Sequence, residues 1–352
     1  MVGDVRLEQA VRDAVGRAGR RPGLLVVGAT DGIDTAVESA GPVPQPECPP
    51  ERVLFEIGSV TKVFTALLLA IAVERGEAML DDPVSDHLPD GSRVPRRRDA
   101  EITLLHLATH TSGLPRLPPG LFWHGLRHRD DPYARLTPAE VLARLGRTRL
   151  RRAPGDRFRY SNFGAGVLGL ALAHTSRVDY ETLVRDRITR PLGMTDTVIS
   201  LDTQQRSRLA PGTKRGGRPA GLWTMAGLAG AGALRSTVAD LFLFVRAQMG
   251  FLPPDVPAEL AAAVPTTHAE RSIGGRLTPA MRIGLGWMLL PIGREKLDMV
   301  WHNGGTGGYR SFLGWTPATH TAAVVVSSNV RGVDQLGSRV LLDLAATAEP
   351  LP

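Results

Sequence analysis

Strand signals lie at both ends of this chain and are scarce in its middle, which narrows the fold more than any single motif does. Residues 24–30 and 33–39 are β-rich runs joined by Asp31-Gly32, a dipeptide suited to the positive φ angles of a tight hairpin turn. A third run, 52–57, leads through Gly58 into a helical pattern over 59–74, with Gly76 as its stop. In the last third, 284–290, 299–303, 309–315 and 321–328 read as strands, followed by a closing helix over 333–347. From 80 to 219 the text is helical and loop-rich. Strands from both ends must then share one sheet. The early hairpin makes that sheet antiparallel, so the expected class is α+β, with helices flanking the sheet. The expected division is a sheet domain of 1–79 with 220–352 and an inserted, mostly helical domain of 80–219, with a ligand cleft between them. The first 21 residues read as an amphipathic helix with Val5, Leu7, Val11 and Val15 on its apolar side.

At 352 residues and 43% hydrophobic, the chain can bury a sizeable core, but with 5% aromatics that core must rest on Ala, Val and Leu. Cys48 is the only cysteine, so no internal disulfide is possible. It lies in a proline-rich run without a paired acid or base and reads as inert. The net charge of +7 would suit an acidic partner. Yet only Lys62, Lys214 and Lys296 are lysines among 42 Lys+Arg, a bias that looks genomic rather than designed for a polyanion. The runs 96–98 and 147–152 lack interleaved aromatics and read as solvated surface, so no nucleic acid partner is expected. The N-terminus has no apolar signal core, and no apolar stretch reaches the roughly 20 residues of a spanning helix. A cytoplasmic chain without a membrane partner is the expectation.

The chemistry centres on Ser59-Val60-Thr61-Lys62. Three apart on a helix, the two side chains share a face. Serine is a weak nucleophile until a neighbour removes its proton, and lysine can do so only if burial or a nearby cation lowers its pKa. The apolar strip after Lys62 predicts such burial. In a chain that uses arginine almost everywhere, Lys62 keeps the cationic side chain that can be deprotonated. Alone, the pair would more often be a helix cap and a snorkelling side chain. It is accompanied by Arg159-Tyr160-Ser161-Asn162 after a Pro154-Gly155-Asp156 turn. A phenol beside a lysine ammonium can have its pKa lowered and act as a base, and Asn162 can grip a substrate amide or the lysine. It is also accompanied by Trp301-His302-Asn303-Gly304-Gly305-Thr306-Gly307-Gly308, a strand that ends in glycines whose N–H groups can hold an oxyanion. No phosphate-binding glycine motif is present. His106 with His110, and His124 with His128, are four apart, but neither pair carries the glutamate of a zinc-binding helix motif, so no metal is expected. Residues 221–232, with Trp223 and Met225, are expected to line the cleft. Trp123, Trp287, Trp301 and Trp315 are expected in core or cleft wall.

In order and separation these motifs resemble the serine β-lactamase and penicillin-binding protein superfamily, most closely its class C β-lactamase-like branch. Phe55 to Lys62 looks like that branch's nucleophile segment, Leu105-His106-Leu107-Ala108-Thr109-His110-Thr111-Ser112-Gly113-Leu114 like its "LLTHTSGL" element, and Pro191-Leu192-Gly193-Met194 like its "PLGM" turn. The resemblance implies a cofactor-free enzyme in which Ser59 is the nucleophile, Lys62 and Tyr160 share acid and base roles, and Asn162 orients them. The N–H groups of Ser59 and Gly305 would form the oxyanion hole. His302, with Asn303, Gly304 and Gly305, would sit on the substrate. His302 stands where class C β-lactamases carry lysine. Being mostly neutral at pH 7, it offers no fixed charge for a β-lactam or peptide carboxylate. The implied function is hydrolysis of a small ester, amide or lactam, with a second acyl acceptor possible. Esterase, amidase or acyl transferase leads. β-Lactamase or D-Ala-D-Ala carboxypeptidase is the alternative, and a catalytically silent acyl- or peptide-binding protein the remote one.

Overall fold

The structure is a computed structural model that describes residues 4–121, 128, 130–271, 278, 280–294 and 296–347. Its largest sheet has seven strands: β1 (Leu25–Thr30), β2 (Thr35–Ala40), β5 (Arg282–Ile283), β6 (Met288–Ile292), β7 (Leu297–Gly305), β8 (Arg310–Thr316) and β9 (Thr321–Ser327). The order is β2-β1-β9-β8-β7-β6-β5, and every neighbouring pair is antiparallel. The two chain ends meet where β1 pairs with β9, Leu25 opposite Ser327 and Thr30 opposite Ala322.

Every residue of β1 and β9 is buried, because both faces of the sheet are covered. Side chains alternate across a strand. Val27, Ala29 and Val325 join one cluster with Leu7 and Val11 of α1 (Val5–Ala18) and Val340 and Leu341 of the closing helix Asp334–Ala345. Val26, Val324 and Val326 join the other, with α2 (Thr61–Glu74) and the helix Val238–Gln248. In α1 the buried stripe is Leu7, Ala10, Val11, Ala14 and Ala18, whereas Val5 is exposed and lies off the expected apolar side.

Two expected strands differ. The run 52–57 contributes only β3 (Phe55–Glu56), which pairs with β4 (Arg235–Ser236) outside the seven-stranded sheet. On either side of it, Leu54 and Ile57 donate instead to the carbonyls of Arg208 and Leu234, so the segment threads between loops. The run 284–290 is a turn followed by a strand. Gly286 has φ 71° and the Gly284 N–H donates to the Trp287 carbonyl, so β6 begins at Met288.

The middle of the chain carries α3 (Leu104–Ala108), α4 (Pro138–Arg147) and α5 (Asn162–Ser176). The short α6 (Ala229–Gly232) lies directly on α5: a Cβ on Gly230 would stand 2.9 Å from the Gly169 Cα. That approach sets the Ala231 carbonyl beside α2.

Candidate active site

Ser59 is positioned by backbone contact between α2's entry turn and the end of β7. Gly58 has φ 50°, and a Cβ there would sit 2.7 Å from the Gly305 nitrogen. A Cβ on Gly304 would collide with the Ile57 carbonyl, which also accepts from the Ser311 hydroxyl at 2.7 Å. Only glycines permit this closeness. The tight turn Gly58–Val60 therefore holds Ser59 against Gly304 and Gly305. Neither that turn nor α2 has a side-chain N-cap, so the Ser59 hydroxyl is not committed to capping.

Lys62 lies one turn on, in a helix buried from Thr61 to Ala72. Its Nζ donates to Ser59 Oγ at 3.0 Å and to the Ala231 carbonyl at 2.6 Å, and stands 5.0 Å from the Tyr160 ring centroid. Burial, and then the positive charge of Arg116, hold its pKa well below the ordinary lysine value. Among the described residues no carboxylate is a partner that counters that shift.

Tyr160 moves opposite to the expectation from its residue type. Burial pushes its pKa up to about 12, and a hydrogen bond with Ser59 offsets only part of the rise. The assumed lysine ammonium is missing in effect: Lys62 is itself driven toward the neutral amine, so nothing strongly stabilises a phenolate. Tyr160 thus keeps its proton, and Lys62 is shifted toward the amine.

His110 holds this arrangement and was not singled out for it by sequence. It sits in the left-handed region at φ 59°, which turns its carbonyl to accept the Arg159 N–H at 2.7 Å. Its Nδ1 accepts the Ser161 N–H at 3.3 Å, and its ring lies 4.5 Å from that of Tyr160. The segment on both sides of Tyr160 is thus tied to one buried imidazole. Because Nδ1 accepts, the proton belongs on Nε2. Burial, with the charge of Arg116 adding to it, holds its pKa well below the ordinary histidine value. His106, four residues earlier, serves separately: its Nδ1 accepts from Thr103 in the cap of α3. No group of three or more His, Cys, Asp or Glu converges among the described residues. His124 and Trp123 lie outside them.

A cleft of about 560 Å³ opens over Ser59, with Tyr160, Asn162, Asn303, Gly304, Gly305 and Trp223 among its walls. Met225 is buried behind it. The Asn162 Oδ1 is a buried acceptor with no hydrogen-bond partner among the described residues, suited to a substrate N–H. Asn303 donates to Asp334 at 2.9 Å. Glu56, buried and paired with Arg235 at 3.2 Å, accepts the Trp223 N–H at 2.8 Å and fixes that wall. His302 is fully buried behind the cleft, its ring 6.3 Å from that of Tyr160. Its Nδ1 donates to the Asn303 carbonyl at 2.6 Å. Burial lowers its pKa to about 3, so the neutral state expected from its type is reinforced.

Over residues 7–347 the chain matches the Beta-lactamase family model. It is 32% identical over 275 residues to the D-alanyl-D-alanine-carboxypeptidase/endopeptidase AmpH of Escherichia coli (strain K12), covering 77% of this chain and 69% of that one. It is 26% identical over 307 residues to a β-lactamase of Pseudomonas fluorescens, covering 79% and 80%. A β-lactamase/D-alanine carboxypeptidase of Yersinia pestis, solved with citrate, superimposes with a TM-score of 0.80 at 25% identity over 97% of this chain and 98% of that one. A class C β-lactamase from Rhodobacter sphaeroides does so at 0.78 and 23%, over 97% and 99%. The chain belongs to the β-lactamase family of serine hydrolases.

Proposed function

We propose that this protein cleaves a small ester or amide through an acyl-enzyme on Ser59, passing the acyl group to water or to a second acceptor. The observation that carries the reading is the buried Lys62 Nζ, 3.0 Å from Ser59 Oγ and held well below the ordinary lysine pKa. As Ser59 Oγ bonds to the carbonyl carbon, its proton passes to the neutral Lys62 amine. The resulting ammonium keeps the Ala231 carbonyl as acceptor. The N–H groups of Ser59 and Gly305 face the developing oxyanion. Tyr160, kept protonated by burial, gives its proton to the departing oxygen or nitrogen. Lys62 then returns the serine's proton to the phenolate. Deacylation runs the same transfers with the incoming nucleophile, in a cleft between the sheet domain and the inserted helices.

The neutral, buried His302 supports an ester or amide without a carboxylate beside the reacting bond. A second reading, β-lactam or D-Ala-D-Ala peptide hydrolysis, is favoured by one feature: Arg310 lines the cleft and offers a cation. Incubation with short p-nitrophenyl esters, penicillin, a cephalosporin and D-Ala-D-Ala peptides, followed by intact mass and product, separates the two. The ester forms and clears an adduct on Ser59 under the first reading. Clearance of lactam or peptide adducts alone selects the second, and no adduct from any reagent rejects both.

A further inference from the structure

The arginine runs that read as separate solvated surfaces come together in three dimensions. Arg97 and Arg98 lie on a tight turn, and Arg97 donates to the Leu150 carbonyl at 2.9 Å. That bond ties the turn to the segment after α4, which carries Arg151 and Arg152. The segment in turn packs closely on the 111–116 loop: a Cβ on Gly113 would stand 3.0 Å from the Arg152 carbonyl. Arg157 and Arg159 complete the far wall. These six, with Arg116, line a groove of about 1130 Å³ in which Asp156 is the only carboxylate among the described residues. Asp156 is turned to the Ala153 N–H at 3.1 Å.

Elsewhere the arginines of this chain find acids: Arg187 with Glu77, Arg208 with Asp196 and Arg235 with Glu56 are examples. Among the described residues none of the seven groove arginines forms an ion pair. A concave surface lined by one sign of charge concentrates counter-ions, and guanidinium forks match phosphate and carboxylate oxygens. The groove is also continuous with the reaction site. Arg116, Phe158 and Tyr160 line both the groove and the cleft over Ser59, and the Arg116 guanidinium lies 5.2 Å from the Tyr160 ring centroid.

We propose that this groove binds a multiply charged anionic arm of the substrate, a phosphate or polycarboxylate group joined to the ester or amide that Ser59 attacks. The inference rests on the acyl-enzyme reading for the word substrate, but not for the anion site. It also gives the missing charge at His302 a place: the cations that capture an anion stand outside the dry site, beyond Tyr160.

The test is calorimetry on the wild type, Ser59→Ala and Arg152→Ala/Arg157→Ala proteins, with inorganic tripolyphosphate, citrate and a short single-stranded oligonucleotide. Thermal melting checks that each variant is folded. The expected result is saturable binding of tripolyphosphate or citrate at low salt, weakened by about tenfold or more in the double arginine variant and unchanged in Ser59→Ala. Tighter tripolyphosphate points to a phosphorylated arm and tighter citrate to a carboxylated one. Arginine-dependent binding in a protein that never acylates removes the Ser59 reading and leaves the anion site standing. Failure of both small anions to bind, binding indifferent to the arginine pair, or oligonucleotide binding that outcompetes both would overturn the proposal.

Discussion

The two sides of Tyr160 are built on opposite principles. Inward, Lys62, His110 and His302 are 3%, 2% and 0% exposed, and burial is the largest cause of each one's lowered pKa. Outward, Arg116 opens onto a groove of water-exposed arginines. Burial penalises a charged form far more than a surface neighbour favours it, because water screens the surface pair. The inner side therefore prepares Lys62 for its proposed role as base by excluding charge. The outer side can gather charge without disturbing that preparation, apart from Arg116, whose nearness lowers Lys62 further.

Substitutions on the inner side should break this contrast most severely. Ser59→Ala removes the nucleophile, and turnover of any acyl substrate should fall by about 10⁴-fold or more, with no covalent adduct by mass. Tyr160→Phe should cost about 10²- to 10⁴-fold on an alkyl ester. It should cost much less on a p-nitrophenyl ester, whose leaving group departs without a proton. Equal losses on both esters would show that Tyr160 is not the acid. His110→Ala should cost about tenfold, mainly in kcat, because it frees the segment that carries Tyr160. In a Tyr160→Phe background the same change should cost almost nothing more, so additive losses would deny it this positioning role.

The smallest effect concerns acid stability. The His302 pKa is about 3 in the fold, against about 6.5 in an unfolded chain. Between those values the unfolded state binds the extra proton, so this contribution is complete above pH 6.5 and is lost as pH falls toward 3. The buried, neutral His110 acts in the same direction. The melting temperature should therefore drop across that window, and His302→Gln should flatten the drop.

Much of this was readable in advance, for local reasons. The Asp31-Gly32 hairpin, the wholly apolar strip of α2 and the late strands carry their own signals of turn chemistry and period. The sheet assembled from both chain ends followed from them. β3 was misjudged in length because its extent depends on β4 (Arg235–Ser236), some 180 residues away. The turn at Gly284–Trp287 looked like strand because its apolar side chains are buried whether the backbone is extended or not. At the site, residue types drew attention to Ser59, Lys62 and Tyr160, which the fold brings together, but not to which physical effect prevails among them. The direction at Tyr160 depends on how deeply Lys62 is desolvated. His110 lay inside a recognised motif, yet its role comes from a left-handed backbone and from bonds to residues about 50 positions on.

The proposed base role of Lys62 depends on burial holding its pKa well below the ordinary lysine value. The chain has three lysines, Lys62, Lys214 and Lys296, so the ε-carbon NMR spectrum of lysine-labelled protein should contain three signals, and Lys62→Met assigns one of them. The signal that disappears in Lys62→Met should titrate far below the ordinary lysine value of about 10.4. A Lys62 signal titrating near that ordinary value would contradict the proposed base role.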